Sequence, residues 1–213
     1  MVLIIAGFNL LAQYSKENAG IIWPFSKTIT AAVGALFFLI STQSAFANND
    51  TVIINKTPTK APSFTIKSGD DIKLNETSLL GKITIIYYDS QDTVSLNHEI
   101  KKALRQWRLS LTEYQRKQVT ILPVIDASSA NFLTSGIWAS RLRSKSEEMG
   151  YQIYGDWNGN MAKTWKFAKE TSYLSVADPN VQITLRAIGK ISEQDFKQIL
   201  AVISNLFNDL SKY

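Results

Sequence analysis

Gly81-Lys82-Ile83-Thr84-Ile85-Ile86-Tyr87-Tyr88 is the stretch on which the fold turns. Every residue after the Gly-Lys pair is β-branched or aromatic, the side chains that pack well on a pleated surface. The run lacks the polar alternation of a half-wet strand, so it predicts a strand covered on both faces. Upstream, Ser63-Phe64-Thr65-Ile66 and Asp71-Ile72-Lys73-Leu74 alternate on either side of Ser68-Gly69-Asp70, which predicts a hairpin. Downstream, Asp89 to Val94 is a polar loop. Leu96, Ile100, Leu104, Trp107 and Leu111 then recur at helical spacing as one apolar stripe, with Lys101, Arg105 and Arg108 on another face. Ser95 is placed to cap that helix.

Val119 to Ile125 predicts a second strand of the buried kind, although Pro123 removes one ladder donor. A long polar loop leads to a helix over 137–149, with Ile137, Trp138, Leu142 and Met149 on its apolar side. A short strand over 151–154, a turn at Asp156-Trp157-Asn158-Gly159-Asn160 and a short helix over 161–167 follow. Tyr173 to Ala177 predicts a strand, Asp178-Pro179-Asn180 a tight turn, and Val181 to Ala187 an alternating partner strand with one wet face. Ser192 and Asp195 have the spacing of a capping box before a last helix that buries Phe196, Ile199, Leu200 and Ile203. Strands alternating with helices, closed by a hairpin and a helix, imply an α/β fold. The expected architecture is thioredoxin-like: a central mixed sheet of about five to seven strands with helices on both faces.

Composition removes much chemistry. The chain has 213 residues, 45% of them hydrophobic and 19% charged, as expected of a globular protein. It contains no cysteine and one histidine, so disulfides, thiolate sites, thiol redox chemistry and multi-histidine zinc sites are excluded. No cofactor is expected. Near the N-terminus, Lys27 precedes an apolar run from Ile29 to Ile40, and Ala45-Phe46-Ala47 gives a small-x-small ending. This is the pattern of a secretory signal peptide cleaved after Ala47. The expected organisation is therefore a leader and signal peptide over 1–47, an extended segment over 48–60 and one domain over 61–213, located in the periplasm.

Several segments resemble known exported proteins. Ala61-Pro62-Ser63-Phe64, Leu80-Gly81-Lys82, Asp178-Pro179-Asn180-Val181 and Gly189-Lys190-Ile191-Ser192 resemble, in order, four marks of peroxiredoxins and exported thioredoxin-like proteins. These are an AP-x-F opening, an L-x-GK strand, a D-x-x-G hairpin turn and a G-x-(L/I)-(S/T) helix entry. The stretch Asp156-Trp157-Asn158-Gly159-Asn160-Met161-Ala162-Lys163-Thr164-Trp165, followed by Glu170-Thr171-Ser172-Tyr173, is similar to the YtfJ family of small exported proteins. Redox members of the superfamily carry a reactive cysteine after the GK strand and a proline before the later strand. Here Ser90 to Ser95 and Thr171-Ser172 stand in those places.

The resemblance implies a non-redox, partner- or peptide-binding module. Its candidate binding residues are Tyr88, Asp89, Thr171 and Ser172, flanking the groove in which redox relatives hold extended substrates. The partner expected is an envelope protein or peptide. An anionic envelope surface is a weaker expectation, raised by Lys101, Lys102, Arg105, Arg108, Arg141, Arg143 and Lys145, and nucleic acid is not expected for an exported chain. The alternative is an enzyme that uses Asp92, Ser95 and His98. Ser95 and His98 are three apart, which on a helix brings them near each other, but no Gly-x-Ser-x-Gly elbow surrounds Ser95. Solvated helix faces and ordinary capping remain the plainer readings of the basic residues and of Ser95.

Overall fold

The computed structural model describes residues 58–210. The predicted leader over 1–47, and most of the segment over 48–60, lie outside the described residues. Eight strands are present: β1 (Thr59–Lys60), β2 (Thr65–Ser68), β3 (Lys73–Asn75), β4 (Ile83–Asp89), β5 (Val119–Asp126), β6 (Tyr154–Asp156), β7 (Tyr173–Ala177) and β8 (Gln182–Ile188). The helices are α1 (His98–Ser110), α2 (Glu113–Gln118), α3 (Ser135–Met149), α4 (Asn160–Trp165) and α5 (Glu193–Leu210), with a 3-10 turn at Glu76–Leu79.

All strands join one sheet in the order β1-β8-β7-β4-β5-β6-β2-β3. The central pairs β4–β5 and β5–β6 are parallel, and β4–β7 is antiparallel, so the sheet is mixed. The strand count exceeds the expected range because Thr59–Lys60, read as part of an extended lead-in, hydrogen-bonds along the edge of β8.

Every residue of β4 is buried, as its unbroken apolar run predicts. Ile83, Ile85 and Tyr87 face α1 and α5, where they meet Leu104, Ile199 and Ile203. Ile86 and Tyr88 face the other way, toward Phe64, Ile66, Met161 and Trp165. Burying one such side chain is worth about 1.5–3 kcal/mol, so this strand holds two cores at once.

Several local expectations shift. The helix after β4 begins at His98 rather than at Ser95, and Asn97 occupies the cap position without capping. Ser95 is exposed, and its carbonyl accepts from the His98 N–H at 3.2 Å. Leu111 ends α1 rather than belonging to it, because a capping box between Thr112 and Gln115 starts the separate helix α2. The strand expected over 151–154 is displaced to β6, and the short helix over 161–167 closes earlier, at Trp165. β5 also differs: Ile121, Pro123 and Ile125, on one face, are only half-buried.

The β7–β8 turn carries an unusual backbone. Asp178 accepts from the N–H groups of Asn180 and Gln182 at 2.9 and 2.8 Å. Val181 lies at φ 60°, the left-handed region that a β-branched residue avoids. Its position is the glycine of the D-x-x-G pattern. The strain, about 1–2 kcal/mol, is offset because the Val181 side chain is buried against the same core as Phe64 and Trp165. Val181→Gly is therefore expected to be no less stable than Val181→Ala in urea denaturation, although glycine removes more side chain. If glycine were the weaker by more than about 1 kcal/mol, the left-handed backbone would not be strained here.

Candidate functional site

α1 leaves the C-terminal end of β4, and α3 follows the loop after β5. The two helices stand over the same face of the parallel strands. Between them is a cleft of about 860 Å³. Tyr87, Asp89, Pro123, Ile125 and Ile153 line its floor, which accounts for the half-buried face of β5. α1 contributes His98, Lys101 and Arg105 to one wall, and α3 contributes Trp138, Arg141 and Lys145 to the other.

α3 is held off α1 from behind. Arg143 donates from its Nε to Asp70 at 2.8 Å and from its terminal nitrogen to the Gly69 carbonyl at 3.1 Å, clamping the helix to the β2–β3 turn. A side chain at Gly69 would run into the Ala139 carbonyl, so glycine there sets how closely helix and turn approach.

The floor is polar at one end. Lys101 donates from Nζ to Asp89 Oδ2 at 2.7 Å and to the Val94 carbonyl at 2.8 Å, and it lies 5.8 Å from the centroid of the Tyr87 ring. Asp89 is buried, so this is an interior ion pair. Its other oxygen, Oδ1, is buried without a hydrogen-bond partner among the described residues, and so is the Tyr87 hydroxyl. Burial, with Tyr151 and Asp89 adding to it, pushes the Tyr87 phenol well up, so it stays protonated and able to donate. Tyr151 is also pushed up by burial, while Arg105 and Lys145, approaching from opposite helices, pull it down. Lys145 pairs with Glu148 at 2.7 Å. Arg105 and Arg141 have no ion pair among the described residues.

The buried pair makes a prediction. Lys101→Met strands an uncompensated carboxylate and should cost about 3 kcal/mol in urea denaturation. Adding Asp89→Asn should recover most of the loss. Equal stability of Lys101→Met and the parent would show that Asp89 is solvated.

The residues singled out from the sequence separate into different places. Tyr88 points away from the cleft and donates its hydroxyl to Asp156 Oδ2 at 3.0 Å. Burial, then the neighbouring Asp156 and Asp126 carboxylates, push its phenol up. Asp89 lies on the cleft floor. Thr171 is half-buried and donates its hydroxyl to the Lys169 carbonyl at 3.2 Å. Ser172 is buried, and its oxygen accepts from the Asn97 side-chain amide at 3.1 Å. Asp92, Ser95 and His98 are exposed. His98 lines the cleft, but no carboxylate comes within ion-pair distance of it among the described residues. Of the basic residues, Lys101, Lys102 and Arg105 face Arg141 and Lys145 across the cleft, whereas Arg143 is spent on the hairpin.

The Asp156–Trp165 motif builds framework. Asp156 Oδ2 also accepts from the Ala162 N–H at 2.9 Å. The indole N–H groups of Trp157 and Trp165 donate to the carbonyls of Lys67 and Pro62 at 2.8 and 3.1 Å. Gly159 supplies a left-handed turn at φ 66°. The motif thus joins the end of β6 to β4, β2 and the N-terminal loop.

Asn97 was not singled out. Its side chain donates to Ser172 Oγ and to the Gly189 carbonyl at 3.1 and 2.8 Å, and accepts from the Ile191 N–H at 2.9 Å. Asn97→Ala leaves the buried Ile191 N–H and the half-buried Gly189 carbonyl without that partner, and should cost about 2–4 kcal/mol. The check is the urea midpoint at unchanged slope, and a loss under about 1 kcal/mol would mean that water replaces the amide.

The family model described as a bacterial protein of unknown function, YtfJ_HI0045, matches residues 68–206. No curated protein matches the sequence. Three solved structures share the fold. One, described as the thiol:disulfide interchange protein DsbE from Chlorobium tepidum, has TM-score 0.54 at 12% identity, over 72% of this chain and 99% of that one. A DsbF homologue from Corynebacterium diphtheriae gives 0.52 at 10% identity, over 73% and 95%. A thiol-disulfide oxidoreductase from Bacteroides fragilis gives 0.51 at 14% identity, over 68% and 99%. These likenesses establish a thioredoxin-like fold. The chemistry named for those proteins does not transfer to this chain, because it has no cysteine.

Proposed function

The chain belongs to the YtfJ_HI0045 family, and on that premise we propose that it is an exported, non-redox thioredoxin-fold module that binds a partner protein or peptide in the cleft between α1 and α3. The observation that carries this reading is the open cleft itself, whose floor at Pro123 and Ile125 is apolar and half-buried and whose walls carry Trp138, Arg105 and Arg141. A concave, mostly apolar site with a few polar groups at its edge is where folded proteins hold a ligand or partner. Outside the cleft lining, the loop that enters α3 exposes further apolar side chains. Phe132 is 94% and Leu133 82% exposed on the loop that enters α3.

Export rests on the signal-peptide pattern over residues 29–47. A cysteine-free enzyme centred on Asp92, Ser95 and His98 has no observation in its favour, since no side-chain hydrogen bond joins the three and His98 lacks an acidic partner among the described residues.

The test is a photocrosslinking amino acid placed at Trp138, on the cleft wall, in cells carrying the full gene. Fractionation should put the chain in the periplasm with Asn48 as its first residue. The crosslinker should yield a discrete adduct that disappears when Ile125→Arg fills the floor. A cytoplasmic chain would refute export, and an adduct indifferent to Ile125→Arg would refute the cleft as the binding surface.

A further inference from the structure

Large apolar side chains left in water gather at one end of the sheet. β4 and β5 are parallel, so the loops that follow them leave the same end. Of the nine large hydrophobic residues exposed among the described residues, Val94, Leu96, Phe132, Leu133 and Ile137 sit on those two loops and the first turn of α3. We infer that the loop after β5 is a membrane-docking tip, which sets Phe132, Leu133 and Ile137 into the interface of an anionic lipid surface while Arg141 meets the headgroups. The inference goes beyond the cleft reading and does not depend on what the cleft holds.

Three observations select a bilayer as the occupant. The first is charge. No charged residue occurs from Ala127 to Ser140, in a chain of which 19% is charged, and no acidic one before Glu147. A protein interface has a polar rim around its apolar centre, whereas a segment that enters lipid must be free of charge throughout. The loop after β4 carries Asp92 beside Val94 and Leu96, so the part that enters is the loop after β5.

The second is the backbone. The N–H groups of Leu133 and Thr134 donate to Asn131 Oδ1 at 3.0 and 3.1 Å, and that of Ser135 to the Asn131 carbonyl at 2.8 Å. The Asn131 N–H donates to the Thr134 hydroxyl at 3.0 Å, and the Phe132 carbonyl accepts from the Ser135 hydroxyl at 3.3 Å. An apolar medium offers these groups nothing, so they have to be met inside the loop before it can enter. The same bonds hold Phe132 and Leu133 outward, 94% and 82% exposed, where they touch little of their own protein.

The third is the order of apolar and basic groups along α3. Arg141 is exposed and lies one turn beyond Ile137 on the same helix face, about 6 Å farther from the tip. Interfacial segments sink about 5–10 Å, which brings that guanidinium to the phosphate level. Arg141 has no ion pair among the described residues, so it is available to an anionic headgroup. Apolar insertion and charge attraction are each weak alone, and together they give reversible docking.

The chain has no cysteine, so one introduced thiol carries a fluorophore to a single place. The full chain, purified from cells carrying the full gene, is labelled with a nitrobenzoxadiazole group at Leu133→Cys. A second preparation is labelled at Leu80→Cys, an exposed position before β4 and so at the other end of the sheet. Each is mixed with vesicles of phosphatidylethanolamine and phosphatidylglycerol, or of phosphatidylcholine alone. On the anionic vesicles the label at 133 should shift to the blue and be quenched by spin labels on the acyl chains, and the label at 80 should do neither. Phe132→Ser/Ile137→Ser should cut the partition at least about tenfold at an unchanged urea midpoint. Arg141→Gln should cut it about fivefold and flatten its salt dependence. A label at 133 that stays in water, both labels responding alike, or a partition indifferent to Phe132→Ser/Ile137→Ser would overturn the inference. So would a photocrosslinker at Phe132 that captures one protein in cells while vesicles give no response, since the tip would then dock on a protein. None of these readouts involves Ile125, so the cleft reading stands or falls separately.

Discussion

The side-chain amide of Asn97 is the contact on which the arrangement of this domain depends. It sits where α1 begins, yet it does no capping there. Its three hydrogen bonds instead reach the segment before β7 and both sides of the link between β8 and α5. One buried amide thereby ties the helix that follows the central strand to the antiparallel half of the sheet. An amide suits this task because it can donate twice and accept at the same time, while an aspartate could only accept. The tie also fixes the loop from Ser90 to Leu96, which must reach from the end of β4 to a residue that cannot move. Thr93 and Ser90 fasten that loop from within, with the Ser90 N–H donating to the Thr93 hydroxyl at 2.9 Å.

A second constraint lies on the opposite side of the same loop. Asp89 ends β4 inside the protein, and burying a carboxylate is costly unless a cation meets it. Lys101, one turn into α1, supplies that cation and at the same time binds the Val94 carbonyl. Helix, strand end and loop are locked by one ammonium group. Lys101 binds one of the two carboxylate oxygens, and the other is buried without a partner among the described residues. The unmet acceptor is thus a by-product of how the loop is secured.

What the sequence disclosed and what it hid follow from the range of the forces involved. β4 was legible because two buried faces require an unbroken apolar run, and the run is all there in adjacent residues. The Ser192–Asp195 box was legible for the same local reason, and its reciprocal hydrogen bonds are present. Asn97 was not legible, since its partners lie 75 to 94 residues away and an isolated asparagine before a helix looks like a cap. The cleft was hidden by a related ambiguity. Val119 to Ile125 carries the same composition whether a helix covers its second face or stands aside, and the difference is set by Gly69 and Arg143, far off in the chain. Basic residues on α1 and α3 each look like an ordinary solvated face until the fold turns the two faces toward each other. Val181 shows the reverse case: the D-x-x-G resemblance marked the position, and only the backbone revealed that valine there adopts the glycine conformation.

These constraints bear on what a thioredoxin-like fold keeps when it has no thiols. In redox relatives the loop after the central strand and the segment before the later one face each other across a groove that receives substrate. Here the amide of Asn97 bonds to Ser172 between those two elements, and both residues are buried. A hydrogen bond satisfied inside the protein offers nothing to a ligand, so that position contributes rigidity rather than recognition. Buried polar atoms without a partner among the described residues occur on both sides of the sheet, at Tyr87 and Asp89 on the α1 side and at Asp156 beside Tyr88 on the other. A fold confers no function by itself, and a site has to be argued from the geometry and chemistry of the side chains it carries. β4 presents successive side chains to opposite faces, so the adjacent Tyr87 and Tyr88 serve the two layers of the domain separately.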